Sequence, residues 1–541
     1  MSHRTNPLAK SGCALHSDTV NLADLVDFDF IPSQLVYLGE GRPGFILQFF
    51  AMEATYRLKE NVINAREVKM IRVADAAIFP GNGEVTILSD GNMQPLANAT
   101  IIANRKQKYH RIYNASAEVK TRHQYNASGY VDYVDARGTV QPIYFGNIRV
   151  GDKEQTLGRA FIKPEEQFEL NAHFRFTGTV DLLASAQYMN FSGAYQVIDP
   201  CNGGRHAWVT FNSSLNPLRV QLPVSPVMKD TLGDPVLVAM AYSGFFDEIY
   251  PAFYQKPKAW GDTIVAASGG WISYNAENEK FVITKEKEAA DDVTPDMELD
   301  TRQCILSASG KIETGTDLGQ VRLNSFGNIT HYLPVDSTRF QLGMAVNFFF
   351  SDQAMNKLTD ALRKSELQGT DINGFTYQSL LHGILGQKSA ADVTNELNLN
   401  GQIKRPPADL NKSLLLTGLN MVWDPKLKSF VNENEFGIAG INGNLVNRVV
   451  NGYVEIGKRR TGDILNIYIE LPGNQWYFFS YGNNYMQAIS SDNDFNTIVA
   501  ELKEDKRIQK TGNGEAPYEF IIGTPERRIA FLRKMQSRNN L

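Results

Sequence analysis

Apolar and polar residues alternate most cleanly over FELNAHFRFTGTVDL, residues 168–182. Phe168, Leu170, Ala172, Phe174, Phe176, Gly178, Val180 and Leu182 share one parity, and Glu169, Asn171, His173, Arg175, Thr177, Thr179 and Asp181 share the other. A period of two predicts a strand with one dry and one wet face. At about 3.3 Å per residue the run would extend roughly 50 Å, so a bulge at Gly178 is expected to bend it. Shorter alternating runs, GEVTILSDG (83–91), SGYVDYVDARGTVQPIYF (128–145) and GNIRVGD (146–152), are separated by Gly, Asp or Pro. They predict a meander or β-roll over residues 60–200.

The same region repeats a small signature. Tyr-Asn-Ala-Ser occurs at 113–116 and again at 125–128, and Asn-Ala or Asp-Ala pairs recur at Asn64, Asp75, Asn98, Asn114, Asn126, Asp135 and Asn171. Asn and Asp tolerate left-handed and turn conformations, and Ala fits where layers approach closely, so the pairs are expected at stacked turns. This turn reading is preferred to the glycan-acceptor reading of the Asn-x-Ser/Thr sites, which needs a secretory route that nothing else in the chain supports. The succession of strands and turns resembles the β-jellyroll repeats of organic-solvent-tolerance proteins of the lipopolysaccharide-transport family, over residues 60–200 at most. In overall character the chain also resembles large uncharacterised β-rich envelope proteins of Bacteroidota. These resemblances imply a rolled sheet, an envelope setting and a groove for lipid.

Prolines at 217, 223, 226, 235, 251 and 257 confine the next strands to edges or short pieces. GGWISYNAENEKFVI (269–283) reads as a hairpin. KEKEAADDVTPDMELD (285–300) is charged and poor in apolar residues, so a linker or loop and a domain boundary are expected there. After strands near 304–313, 319–325 and 340–350 the period changes. Ser351 caps a helix that carries Met355, Leu358 and Leu362 on one face and closes at Gly369, and a second helix is expected over 389–401. The end of the chain reads as βββαβα, with Thr524 and Pro525 opening a terminal helix. The expected organisation is an irregular segment 1–40, a β-repeat domain 41–200, its continuation 201–284, the linker 285–300, a β segment 301–410 with a helical insert 351–400, and an α+β module 411–541. The fold class is mainly β with an α+β C-terminal part and a β-roll or jellyroll-like N-terminal body.

Composition narrows the function. The 541 residues carry a formal charge of -5 with no Lys/Arg stripe, which argues against a nucleic-acid partner. Cys13, Cys201 and Cys304 lie far apart and suggest neither a disulfide framework nor a zinc knuckle. No secretory signal is visible at the start, and the most apolar runs, 45–52 and 235–246, are too short to span a bilayer as helices, so no membrane-spanning segment is expected. PCNGGRHAW lacks a thiol-protease signature, and DNDFNTIVAELK fails as a calcium loop at Thr497 and Lys503. Phosphate-loop, His-x-His, His-Glu-x-x-His and Gly-x-Ser-x-Gly patterns are absent. Hence no catalytic, cofactor-binding or metal-binding set is expected.

The function expected is that of a non-enzymatic, β-rich structural or interaction protein of a bacterial envelope or surface, with an unidentified protein or envelope partner. One alternative is a carrier of lipid or another amphiphile in the groove of a rolled sheet. The other is a glycan-binding or glycan-active protein, which would need convergent acids beside exposed aromatics. The candidate ligand or partner surface is Phe168, Leu170, Phe174 and Phe176 for the first alternative, and Trp476, Tyr477 and Tyr481 for the second. The basic terminal helix, with Arg527, Arg528, Arg533, Lys534 and Arg538, is expected to dock on the C-terminal sheet in preference to an anionic membrane.

Overall fold

The computed structural model describes residues 35–38, 46–51, 53–90, 92–203, 206–287, 295–433, 435–510 and 517–539. Strand accounts for 51% of it and helix for 16%, so the chain is mainly β, with large curled sheets. It divides into two compact units, one running to Pro223 and including Lys229–Asp234, the other formed by Val224–Met228 and Pro235–Leu541.

The first unit is built on a thirteen-stranded antiparallel sheet whose neighbours follow the chain almost in order. Its middle consists of Leu96–Ala103, His110–Thr121, Gln124–Val134, Val140–Val150, Thr156–Ile162, Phe174–Leu183, Asn190–Val197 and Val209–Ser214. A separate three-stranded sheet joins Glu53–Arg57, Val62–Arg66 and Val85–Ile87. Burial alternates along the strands: in Gln124–Val134 the residues Tyr125, Ala127, Gly129, Val131 and Tyr133 are buried while Tyr130, Asp132 and Val134 are exposed. The buried parity supplies an aromatic core. Phe176 packs edge-on against Phe168, Phe191 and Phe211, and Tyr195 packs against Phe174 and Phe211, with centroids 5.1–6.5 Å apart. Such edge-to-face pairs are the geometry the ring quadrupoles favour.

The run 168–182 does not form one long strand. It folds back on itself as Glu169–Asn171 paired with the start of Phe174–Leu183, and Asn171 Oδ1 accepts the His173 backbone N–H at 2.9 Å to close the turn. A two-residue turn alone would swap the faces; the register shifts between Glu169 and Asn171, so Glu169 stands opposite Arg175 and Phe168, Leu170, Phe174 and Phe176 all stay on the buried face. Gly178 opens no bulge, since its register with Gly193 is unbroken. A Cβ there would stand 2.5 Å from the Ser192 carbonyl oxygen. The Asn/Asp-Ala pairs share no single position. Asp75, Asp135 and Asn171 sit at turns, Asn64 and Asn126 lie within extended strands, and Asn98 and Asn114 take φ of 51° and 48° inside strands. The register of Leu96–Ala103 shifts on either side of Ala99, next to Asn98.

In the second unit a small sheet joins Pro235–Ser243, Glu248–Gln255 and Thr263–Ala267. The main sheet runs in order through Gly270–Asn275, Lys280–Thr284, Met297–Asp300, Ile305–Ile312, Arg322–Tyr332, Ser337–Asn347 and Leu414–Asp424. Lys280–Ile283 pairs directly with Met297–Asp300, so the boundary expected over 285–300 falls inside one sheet. Residues 288–294 of that stretch lie outside the described residues, as does most of 1–40.

The helical insert leaves the sheet after Ser337–Asn347 and returns at Leu414–Asp424, its direct neighbour. Ser351 Oγ accepts the Ala354 N–H, as its N-cap role requires, and the helix Asp352–Lys364 ends at Ser365, short of Gly369. Gln387–Asn400 matches the second expected helix. Between them Phe375–Leu385 forms a third, which places Tyr377, Leu380 and Leu381 in a core with Ala345, Leu415 and Val393. Gly383 lets it approach the Phe326 ring, which a Cβ would meet at 2.2 Å.

The C-terminal module contains the three expected strands, Asn444–Gly457, Ile464–Leu471 and Gln475–Gly482, followed by a fourth, Tyr485–Ser490. Helix Asn493–Glu501 then crosses to Tyr518–Ile522, which runs parallel to Tyr485–Ser490. The terminal helix Pro525–Asn539 docks on the sheet through Phe531 and Met535, which pack with Tyr468, Phe478 and Ile489. Cys201 and Cys304 are each disulfide-bonded, contrary to the expectation drawn from cysteine spacing.

Candidate functional site

None of the apolar residues expected to line a ligand groove does so. Phe168, Leu170, Phe174 and Phe176 are buried in the aromatic core of the first unit, and the Tyr133 hydroxyl reaches across to donate to the Leu170 carbonyl at 2.9 Å. Of the second set, Tyr477 and Tyr481 are buried, Tyr481 being stacked on Tyr518. Trp476 is half-buried beneath the terminal helix, with the Arg528 guanidinium 3.9 Å from its ring centre. The aromatic surface lies elsewhere.

Three adjacent strands, His110–Thr121, Gln124–Val134 and Val140–Val150, each turn one set of side chains outward. The register sets Tyr130 directly opposite Tyr113 on one side and Tyr144 on the other. Tyr113 and Tyr130 are stacked at 6.0 Å, and Tyr130 and Tyr144 lie 5.1 Å apart. Tyr130 is 36% and Tyr144 52% exposed, so the row is open to solvent. Side chains directly opposite one another across strands support each other, which holds the three rings as a preformed platform. Exposed aromatics on a sheet face carry a hydration penalty that a ligand relieves.

The row runs into a cleft of about 760 Å³. Asn98, Thr100, Arg111, Tyr113, Asn114 and Asp132 line it from the strands, Gln187 and Tyr188 from one turn, and Asn216 and Leu218 from another. Asn98 and Asn114, each left-handed inside its strand, are among them, so these two irregular positions border the cleft. Irregular strand positions of this kind re-aim side chains next to sites. The Tyr113 hydroxyl donates to Asp132 Oδ1 at 2.6 Å, which holds the phenol above its ordinary pKa of 10.0. His110 bonds the Ala186 carbonyl through Nε2 at 2.8 Å, and burial pushes its imidazole below the usual value. The cleft therefore offers amide, guanidinium and hydroxyl groups beside aromatic rings.

Sequence reasoning quoted Tyr113 but followed its neighbour Asn114. Tyr130 shares its parity with Asp132, but Tyr113 stands out of phase with Glu118 and Lys120, and Tyr144 with Arg149, because the phase changes inside both strands, so alternation gave no signal for the row. Of the adjacent acid pairs, Glu165 and Glu166 lie on an exposed 3-10 turn where Glu166 caps the Lys163 N–H, and Asp291 and Asp292 lie outside the described residues. Asp492 caps helix Asn493–Glu501 by accepting the Asp494 and Phe495 N–H groups.

The buried carboxylate of Glu455 serves the C-terminal module. It accepts Ser429 Oγ at 2.7 Å, Asn466 Nδ2 at 2.9 Å and Lys534 Nζ at 2.5 Å, which anchors the terminal helix. Arg527, Arg528 and Arg538 likewise bond Ser480, Tyr468 and Asp424 of the same unit. Among the described residues no group of three or more His, Cys, Asp or Glu could hold a metal ion, and no helix is long and apolar enough to cross a membrane. No family model, curated protein or solved structure matches the chain.

Proposed function

We propose that the protein is a non-enzymatic, β-rich binding protein of the cell envelope or surface, and that it holds a glycan along the tyrosine row and in the adjoining cleft. The observation that carries this reading is the solvent-open file Tyr113–Tyr130–Tyr144 leading into a cleft lined by Asn98, Arg111, Asn114 and Asp132. A sugar presents an apolar C–H face and a rim of hydroxyls. Flat rings suit the face, and amide, carboxylate and guanidinium groups suit the rim. The disulfide-bonded state of Cys201 and Cys304 supports a compartment where disulfides persist. The amphiphile-carrier alternative is disfavoured because the apolar face that would form its groove is filled by Phe168, Phe174 and Phe176 themselves.

The test is a glycan array followed by calorimetric titration of the strongest ligand. Tyr130→Ala with Tyr144→Ala should weaken binding roughly tenfold or more while the melting temperature stays unchanged, since each ring contact contributes about 1 kcal/mol and both residues are exposed. A silent array, or unchanged affinity in the double variant, would sink the proposal.

A further inference from the structure

The second unit carries an exposed aromatic cluster that no core or groove explains. Phe245 and Phe246 form the tip of the hairpin between Pro235–Ser243 and Glu248–Gln255, where they are 78% and 54% exposed, and their rings meet edge-on at 4.9 Å. Trp260 is fully exposed on the loop that leads into Thr263–Ala267. The register pairs Ser243 with Glu248 and Tyr242 with Thr263, so hairpin tip and tryptophan loop leave the same end of this sheet.

Both loops are built firmly from behind. Asp262 Oδ2 accepts the Tyr250 hydroxyl at 2.6 Å and the Ala259 N–H at 2.9 Å. The Trp423 indole donates to the Asp247 carbonyl at 2.8 Å, and its ring lies 5.1 Å from that of Tyr242. Rigid loops that hold three large aromatic side chains out in water retain a hydration cost that folding leaves unrelieved.

The charges around the cluster are basic although the chain as a whole is acidic. Lys258 follows on the tryptophan loop, and the turn after Leu414–Asp424 brings Lys428 to Asp247 at 2.5 Å and carries exposed Lys426. The next loop reaches that turn through the Lys458 N–H and Lys428 carbonyl, and carries exposed Arg460. The acids of the two aromatic loops are engaged internally: Asp247 by Lys428, Glu248 by Lys258 and Asp262 by Tyr250. Lys258 and Lys428 are engaged in the same pairs, so the cationic charge turned outward beside the aromatic tips is that of Lys426 and Arg460.

We infer that Phe245, Phe246 and Trp260 dock this end of the second unit on an anionic lipid surface. Trp and Phe settle at the boundary between headgroups and acyl chains, while lysine and arginine are drawn to the negative leaflet. The apolar tips are too short to span and suit a shallow, reversible contact. This inference rests on different residues from the glycan site and stands without it.

The full-length chain is mixed with phosphatidylcholine vesicles and with phosphatidylcholine–phosphatidylglycerol vesicles, and binding is read by co-sedimentation and by tryptophan emission. Binding to the mixed vesicles is expected, with a blue shift that disappears in Trp260→Tyr while sedimentation persists. The triple variant F245S/F246S/W260S should lose about tenfold or more in partitioning with its melting temperature retained, because all three side chains are exposed. Lys426→Glu with Arg460→Glu should weaken binding to the mixed vesicles alone. Failure to bind the mixed vesicles, or equal binding by the triple variant, overturns the inference, and the loops then fall to a protein partner. Equal binding to the neutral vesicles overturns the requirement for anionic lipid.

Discussion

At the scale of single residues, burial without a charged partner decides how His110 behaves. Its surroundings, closed by the Ala186 carbonyl, penalise the imidazolium, and the same penalty acts on His173 and His331. A histidine whose pKa is lower in the fold than the ordinary 6.5 leaves the unfolded chain binding more protons between the two values. Its stabilising contribution is therefore complete above pH 6.5 and is lost as pH falls towards the folded value. The paired carboxylates of Asp199 and Asp262, held below 3.8, lose theirs only at much lower pH, so the interval from 6.5 to about 5 isolates the histidines. Melting temperatures should be flat above pH 6.5 and decline below it, and the decline should be shallower in His110→Gln, which keeps a donor for Ala186. A decline of unchanged depth in that variant would remove His110 from the account. Gly178 is a second decisive residue. At φ of 138°, with the Ser192 carbonyl 2.5 Å from where a Cβ would stand, Gly178→Ala should cost about 1–3 kcal/mol in denaturant unfolding. These two positions were poorly legible beforehand, because the Ser192 carbonyl across a strand pair decides Gly178, and the Ala186 carbonyl of a turn distant in sequence decides His110.

At the scale of elements, periodicity revealed faces more reliably than ends. The parity of 168–182 is the parity of the core, yet the turn at Ala172 and His173 is invisible to it because the register shift between Glu169 and Asn171 restores the phase. Helix Phe375–Leu385 escaped for a related reason: its apolar residues surround it, so no amphipathic stripe marks it. The tyrosine row could not be read at all, since register and irregular positions along three strands decide which exposed residues become neighbours. The docking of the terminal helix on the sheet was legible and Met535 takes part in it, but Ile529 is exposed, Phe531 packs in its place, and Arg527, Arg528, Lys534 and Arg538 reach inward to the sheet. Lys534→Met tests this. Removing the ammonium leaves the Glu455 carboxylate buried with only Ser429, Asn466 and Arg459 beside it, and should cost about 3 kcal/mol. Adding Glu455→Gln to Lys534→Met should recover much of that loss, because the orphaned charge is then gone; a double variant no more stable than the single one would mean that the helix is held by Phe531 and Met535 alone.

At the scale of the whole molecule, each compact unit encloses a core of its own: the Phe176 cluster in the first, and in the second the cluster that joins Tyr377, Leu380 and Leu381 to Leu415. A core is the cooperative element of unfolding, so two cores predict two calorimetric transitions. Phe176→Ala removes a buried ring from the first and should cost about 3–5 kcal/mol. Leu380→Ala should cost about 2–5 kcal/mol in the second. For units of this size each kcal/mol shifts a midpoint by roughly 2–4 °C, well within the resolution of a scan. The expected outcome is that each variant lowers one transition and leaves the other in place. The glycan proposed for the first unit should raise only the transition that Phe176→Ala lowers, because a ligand stabilises the unit whose folded form it binds. If both transitions move together in either variant, the cores unfold as one, and ligand-induced shifts cannot then be assigned to a unit.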